Sequence, residues 1–385
     1  VQHNAQRNVA IIGGGIGGLT AALAFARQGA TVTVYEQAPE LTEVGAGLQI
    51  TPNGMRALYA LGLEAALDMS GVKAKAVIPT DALSGREIAR FDLTSQSPPY
   101  RFFHRAALID LLARGCAANG VTVQLNARIT DVRPDGSFEV DGIRVTPDLT
   151  IGADGVRSNI RGLINKPTEP FFTGQVAWRA LVKVEEADPV ARIWMAPGRH
   201  MVTYPLSGGR LNIVAVQQRS QWAEEGWHHQ DDPGNLRQVF ADCHWSLKSI
   251  LSDVEKVNLW GLFRHPVAQR WHASSVAILG DAAHPTLPFL AQGANLAIED
   301  AYVLARCCDE NADLSQGLQA YQATRRNRVV KAVKGANANA RNYHLSGLQR
   351  RVAHLGLRTI GTVAPDAFLN RMGWLYDHDV TAGDV

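Results

Sequence analysis

Cysteine is scarce. The four present (Cys116, Cys243, Cys307, Cys308) form no C-x-x-C and no metal-ligand spacing. A disulfide scaffold, a zinc ribbon and a thioredoxin-type redox pair are therefore not expected, and no metal site is expected either. Reduced thiols point to a cytoplasmic setting. An excess of charge of either sign is also missing. Lys+Arg number 38 and Asp+Glu 36, for a formal charge of +2, which argues against a global polybasic binder of nucleic acid or membrane. Long apolar runs are lacking too. Val9–Phe25 comes nearest, with Arg7 before it, but Gly13, Gly14, Gly15, Gly17 and Gly18 break it, so neither a membrane span nor a secretory leader is expected. There is no repeat, low-complexity tract or long linker. With 385 residues, one or two domains of ~100–200 residues are expected, enough for a core that needs no covalent staples.

The first forty residues read as strand, glycine turn, helix, strand. Val9–Ile12 is a short buried-strand run, Thr20–Gln28 has helical composition closed by Gly29, and Thr31–Tyr35 is β-branched. Two further apolar runs end in the same way: Leu149–Ile151 in Gly152-Ala153-Asp154-Gly155, and Val276–Leu279 in Gly280-Asp281. In open α/β sheets ligands lie beyond the carboxyl ends of strands, so these distant segments are expected to meet at one ligand. Residues 171–265 are rich in Trp, Val, Tyr and Thr with turn signals such as Ser207-Gly208-Gly209, and read as an antiparallel sheet. After Gly293 the pattern is helical, over Leu296–Cys308 and Gly317–Val333.

Gly13-x-Gly15-x-x-Gly18 sits between the first strand and the first helix. The first glycine permits the turn, the second lets the backbone approach a pyrophosphate, and the third allows close packing. The helix N-terminus adds free N–H groups and the positive end of its dipole. Glu36, at the end of the second strand, has the position of a carboxylate that accepts hydrogen bonds from a ribose. NAD and FAD both satisfy this pattern.

Four segments, in order, resemble the single-component FAD-dependent aromatic hydroxylases, the family of p-hydroxybenzoate, salicylate and 3-hydroxybenzoate hydroxylases. They are the glycine fingerprint with Glu36, His104-Arg105 with Leu108, Gly152 through Arg161, and Gly280-Asp281-Ala282-Ala283-His284-Pro285 continuing to Gln292-Gly293-Ala294-Asn295 and Asp300. Val44-Gly45-Ala46-Gly47, leading to Ile50-Thr51-Pro52-Asn53, is most similar to the salicylate, 3-hydroxybenzoate and 6-hydroxynicotinate branches. The resemblance implies an α/β fold: a discontinuous FAD-binding Rossmann-like domain of the GR2 type (residues 1–70, 100–168 and 270–345), an inserted β-rich substrate domain (71–99 and 169–269) and a C-terminal helical tail (346–385). It implies non-covalent FAD held by Gly13, Gly15, Gly17, Gly18, Glu36, Gln37, Gly47, Arg105, Ile129, Asp154, Asp281, Gly293, Ala294 and Asn295.

The same resemblance implies that NADH or NADPH reduces the flavin and that a flavin C4a-hydroperoxide formed with O2 hydroxylates a small aromatic ring. No second G-x-G-x-x-G is present, so the nicotinamide nucleotide is expected as a transient visitor, with Arg157 and Arg161 as candidate guides. A base near the ring hydroxyl would make the ring more nucleophilic. His200 and Tyr204 are four residues apart on a strand and face one side. They match the pocket-lining stretch of the 6-hydroxynicotinate branch, and Tyr204 is preferred because a phenol can also orient the substrate. Gln49 stands where that branch has a histidine, and with Tyr204 and Pro288 it is expected to bind substrate. His284 reads as a loop-shaping histidine, and Arg179 as a sheet or interface ion pair. Ring hydroxylases of isoprenoid quinone synthesis, and non-hydroxylating flavin reductases on the same scaffold, stay open as alternatives. Nine Lys/Arg and no acid between Arg325 and Arg358 read as solvated helix faces that would also attract an anionic nucleotide. A monomer or homodimer is expected.

Overall fold

The computed structural model describes residues 3–41, 46–220 and 229–382. Val44 and Gly45 of the glycine-rich turn lie outside these. Around Asn8–Ile12 forms a six-stranded sheet. In spatial order its strands are His272–Ala273, Val276–Ile278, Leu149–Gly152, Asn8–Ile12, Thr31–Tyr35 and Thr122–Gln124. Every neighbouring pair is parallel except the first. The central strands are buried along nearly their whole length, as strands covered on both faces must be, which is why their sequences run apolar instead of alternating. In register, Ile12 lies level with Gly152 and with Tyr35, and Gly152 with Ile278. The strand ends singled out by sequence therefore stand side by side.

The helix Ile16–Arg27 leaves the first strand through Gly13, whose φ of 110° is open to glycine alone without strain. It packs on the helix Gly293–Glu310, and Gly17 makes that approach possible, because a Cβ there would lie 2.8 Å from Leu279 and 3.2 Å from Ala297.

The second sheet has eight strands: Gln230–Asp231, Val257–Arg264, Phe171–Lys183, Arg210–Gln218, Arg199–Leu206, Val190–Ala196, Ala76–Asp81 and Phe91–Asp92. It is antiparallel as read from sequence, except that Val190–Ala196 runs parallel to Ala76–Asp81, which arrives from a distant part of the chain and not through a hairpin. One face packs on the helices Pro233–Val239 and Trp245–Ser252 through Leu236, Phe240, Leu247 and Leu251. These helices were not anticipated, although Asp232 as N-cap before Pro233 is a helix-start signal. The other face carries Tyr204 and Leu206 into the main core. A small sheet of Gly47–Ile50, Arg101–His104 and Val72–Lys73 lies between.

At the C-terminus come Leu314–Tyr343, Gly347–Val363 and Pro365–Tyr376. The last segment, read as a tail, returns to the main core through Leu375, Tyr376 and Val380. Arg328 donates to the carbonyls of Trp374 and Leu375 at 2.8 and 3.0 Å. No helix among the described residues is long and apolar enough to cross a membrane.

A buried ionic cluster fixes the helix Gly293–Glu310 to its successor. Arg325 pairs ionically with Glu299 at 2.6 Å and donates from Nε to Asp300 at 2.8 Å, all three fully buried, and Arg328 adds a 2.8 Å contact to Glu299. His284 Nε2 bonds the Asp300 carboxylate at 2.5 Å, which ties its loop to the helix Gly293–Glu310 through a side chain. Burial would raise both carboxyls, but the arginines, with His284 for Asp300, win: Glu299 is held down at about 2 and Asp300 also lies below its ordinary value. A depressed carboxylate contributes stability that is present above its unfolded pKa and is lost as pH falls toward the folded one. Urea midpoints should therefore fall steeply between pH ~4.5 and 2. Glu299→Gln should be less stable at pH 7 and show a shallower decline over that range; an identical pH profile would contradict the assignment.

Candidate active site

The nucleotide end is built at the strand ends. Glu36 takes the backbone N–H of Gly14 at 2.7 Å and of Ala38 at 2.8 Å, which fixes its carboxylate at the end of the second strand. Gln37 beside it is exposed. The segment leading to Ile129 is laced to the same place: Ala127 N–H donates to the Glu36 carbonyl and Asn126 N–H to that of Ala38. Gly15 is the N-cap of the first helix, and a Cβ there would meet nothing within 4 Å. Gly18, in contrast, is packed against the Gly13 carbonyl. Gly17 and Gly18 thus serve packing, and Gly15 is the glycine that faces open space.

Asp154 Oδ2 accepts from the N–H of Asn159 at 2.8 Å and of Ile160 at 3.3 Å, at the start of the short helix Asn159–Ile164 that Ser158 caps. Its Oδ1 is buried without a partner, and burial pushes the carboxyl up. Arg161 is committed to the carbonyls of Pro266, Ala282 and Ala283, so it braces the fold and does not guide a nucleotide.

Asp281 and Arg105 come from segments 176 residues apart and interact electrostatically. The Asp281 side chain is open to solvent, yet protein surrounds it closely enough that burial raises its carboxyl against the pull of His284 and Arg105. A group that is both accessible and desolvated lines a recess. Gly293 opens its helix with space where a Cβ would be, and Ala294 follows. Asn295 does a different job: its amide donates to the carbonyls of Gln49 and Ala291, and its Oδ1 accepts from Thr51 N–H. It ties strand to helix.

Bare glycines at two helix N-termini, an orphaned buried carboxylate oxygen at Asp154 and an accessible carboxylate beside the half-buried Arg105 offer donors and acceptors of the kind a dinucleotide such as FAD would use. Asp281→Ala should weaken FAD binding by about 10–100-fold, the worth of a charge-assisted hydrogen bond, without unfolding the protein. Equilibrium dialysis of the released flavin checks this, and unchanged affinity in a folded variant would remove Asp281 from the flavin site.

Beside this lies an aromatic recess. Gly47 joins the two: its N–H donates to Asn212 Oδ1 at 2.7 Å, and a Cβ would collide with Tyr204 and Asn212 at 2.8 Å or closer. Tyr204 is buried 5.0 Å from the Phe102 ring. Gln49 receives the Tyr100 hydroxyl at 2.5 Å and also bonds Tyr204, as does Asn212. Burial pushes the Tyr204 phenol above its usual value, despite Arg179 pulling the other way. Arg179 is stacked 5.1 Å over Trp260, and burial lowers it to about 10.

His200 faces the same side as Tyr204, against Phe289 and Tyr343, with ring centroids 5.6 and 5.0 Å away. Its Nδ1 lies 2.7 Å from His344 Nε2. Burial drives both imidazoles down, His200 well below its ordinary value and His344 to about 4, so both are neutral near pH 7. Pro288 lies in the loop that carries Phe289 to His200. His344, Tyr343, Tyr100 and Asn212 were not anticipated. Asn212 had a signal, a lone polar residue inside Leu211-Asn212-Ile213-Val214. His344 had none, being embedded in the basic stretch.

The chain is similar to known flavoproteins. Residues 6–336 match the family model described as FAD binding domain. The chain is 34% identical over 351 residues to 3-amino-4-hydroxybenzoate 2-monooxygenase of Streptomyces cremeus, covering 88% of each. It is 32% identical over 394 residues to 3-hydroxybenzoate 6-hydroxylase 1 of Aquipseudomonas alcaligenes, covering 97% of this chain and 98% of that one. Among solved structures, Klebsiella pneumoniae HpxO complexed with FAD and uric acid superposes with a TM-score of 0.80 at 26% identity, covering 94% of this chain and 97% of that one.

Proposed function

This chain belongs to the FAD-dependent aromatic hydroxylases, and from that membership we propose that it uses NADH or NADPH and O2 to hydroxylate a small phenolic aromatic acid. The observation that carries the reading is the pair His200 and Tyr204, four residues apart on one face of a strand and each packed against aromatic rings, with Tyr204 beside Gly47. FAD, when bound, supplies hydride uptake from the nicotinamide nucleotide and delivery of one oxygen atom from O2 to the ring.

The side chains divide the remaining work. Tyr204 stays protonated at any working pH, because burial holds its phenol above the usual range. It orients the substrate hydroxyl and does not remove its proton. That reverses the preference drawn from sequence. The base is His200. In the tautomer in which its Nδ1 donates to His344 Nε2, its Nε2 is unprotonated and takes the ring proton. A phenolate formed beside it raises its affinity for that proton again, which offsets the depression by burial. Gln49 and Asn212 fix Tyr204. The positive charge of Arg179 beside Tyr204 favours a substrate carrying a carboxylate. Phe102, Phe289 and Tyr343 exclude water from the ring.

The test is a screen of hydroxybenzoates, aminohydroxybenzoates and uncharged phenols for stimulation of NAD(P)H oxidation, with product mass measured. Phenolic acids should stimulate and gain one oxygen. Stimulation by uncharged phenols alone would overturn the substrate class.

A further inference from the structure

The helix Gly347–Val363 takes no part in the site, and not one of its residues is fully buried. Its inner side is fixed to the eight-stranded sheet and the loop beside it. Arg350 pairs ionically with Asp81 at 2.8 Å, His354 Nδ1 lies 3.5 Å from the same carboxylate, and a Cβ on Gly361 would come within 2.8 Å of that of Ala89. These three positions share one side of the helix. The opposite side is left bare. Leu348, Val352, Leu355 and Val363 are 76, 62, 65 and 78% exposed. At about 100° per residue they fall, with Thr359, within an arc of about 80°, an apolar stripe of the kind a helix ordinarily turns toward a core. Arg351 and Arg358, both exposed, run along one flank of it, about 40–60° from Leu355. The helix carries no Asp or Glu.

Whatever covers such a face must be apolar and negatively charged. A second copy does not fit. A two-fold contact sets the same patch against itself, so arginine would meet arginine with no carboxylate of the helix between them. The face is 17 residues long and measures about 25 Å by 10 Å, well short of the ~800 Å² per partner that a stable dimer buries. A bilayer with anionic headgroups supplies both features at once and needs no matching shape: acyl chains for the stripe, phosphates for its arginine flank. We propose that Gly347–Val363 is a membrane-surface helix, lying flat on anionic lipid with Leu348, Val352, Leu355 and Val363 in the acyl boundary and Arg351 and Arg358 at headgroup level. The near-neutral charge of the whole chain does not oppose this, because the basic stretch that ends at Arg358 is local. Such docking does not depend on which reaction the flavin site runs.

The test sediments FAD-loaded enzyme with sucrose-loaded vesicles, made of phosphatidylcholine alone or of an equal mixture of phosphatidylcholine and phosphatidylglycerol. The enzyme should bind the anionic vesicles at least about 10-fold more tightly than the neutral ones, and added salt should weaken that binding. Arg351→Gln and Arg358→Gln should each weaken it by about 5-fold, the worth of one positive charge at such a surface. Val352→Gln combined with Leu355→Gln should weaken it by about 10-fold or more. Met69→Gln, at a bare apolar residue of the helix Glu64–Ser70, should change nothing. All these positions are exposed, so FAD content and hydroxylation without vesicles should stay at wild-type levels. Equal binding to the two kinds of vesicle, or unchanged binding of the Val352 and Leu355 double variant, would overturn the assignment. So would a concentration-dependent dimer, seen by light scattering, that the double variant loses while vesicles capture nothing, because a second copy would then cover the helix.

Discussion

Replacing His200 with Asn is expected to slow ring hydroxylation by about 10²–10⁴-fold, the range that general-base assistance supplies, while FAD stays bound and flavin reduction stays near its normal rate. Hydride transfer to the flavin does not require the ring hydroxyl to be ionised, so the loss falls on the oxygen-transfer half. The visible phenotype is uncoupling: NAD(P)H is consumed and hydrogen peroxide accumulates in place of product. The pH profile separates this role from mere packing. Both imidazoles are depressed by burial, so coupling should be flat from pH 6 to 8 and decline only at more acid pH, where His200 takes up a proton. His344→Asn, which keeps a polar group beside Nδ1 but loses the imidazole, should give a smaller loss and move that acid limb. Tyr204→Phe should raise KM more than it lowers kcat, because an orienting hydroxyl is lost and no base. A basic limb that vanishes in Tyr204→Phe, with His200→Asn fully coupled, would return the proton transfer to the tyrosine.

Arg325→Met should destabilise the fold by about 3–5 kcal/mol, because removing one partner of a buried ion cluster leaves the others uncompensated. Arg325 is fully buried and serves Glu299 and Asp300 at once. Arg328 reaches only Glu299 among the two carboxylates, so Asp300 would be left with His284 and the Gly280 N–H, without a guanidinium. The effect reaches function through the helix Gly293–Glu310, whose first residues face the flavin site. FAD retention should fall with stability, and raising FAD concentration should recover part of the urea midpoint by mass action. Arg325→Lys should cost less, since it keeps the charge and loses the fork. A midpoint for Arg325→Met within experimental error of wild type would show that the cluster contributes nothing to stability.

The flavin end of the site was legible because strand ends, glycines and acids are local signals. The six-stranded order then follows from parallel pairing, and Ile12, Gly152 and Ile278 come into register. Parity along the strand correctly put His200 and Tyr204 on one face, since a β-strand alternates sides. The roles of these two were not legible, because they depend on burial and on His344, which lies 144 residues away. Nor was the split among the glycines: sequence treats Gly15, Gly17 and Gly18 alike, whereas Gly17 faces Leu279 and Ala297 and Gly15 faces nothing. Asn295 was read as a cofactor contact from its motif, yet its amide is used up in binding Gln49 and Ala291. Arg161 failed for the same reason, its guanidinium spent on three carbonyls from loops distant in sequence.

The most direct test of the account is turnover of the FAD-loaded enzyme under ¹⁸O2 with a nicotinamide nucleotide and a panel of hydroxybenzoates and aminohydroxybenzoates, followed by product mass. The account predicts that a phenolic acid of the panel gains one oxygen atom and that this atom comes from the gas. A product whose new oxygen comes from water, or a flavin that cycles rapidly while every ring is recovered unchanged and the oxidant is reduced elsewhere, would contradict it.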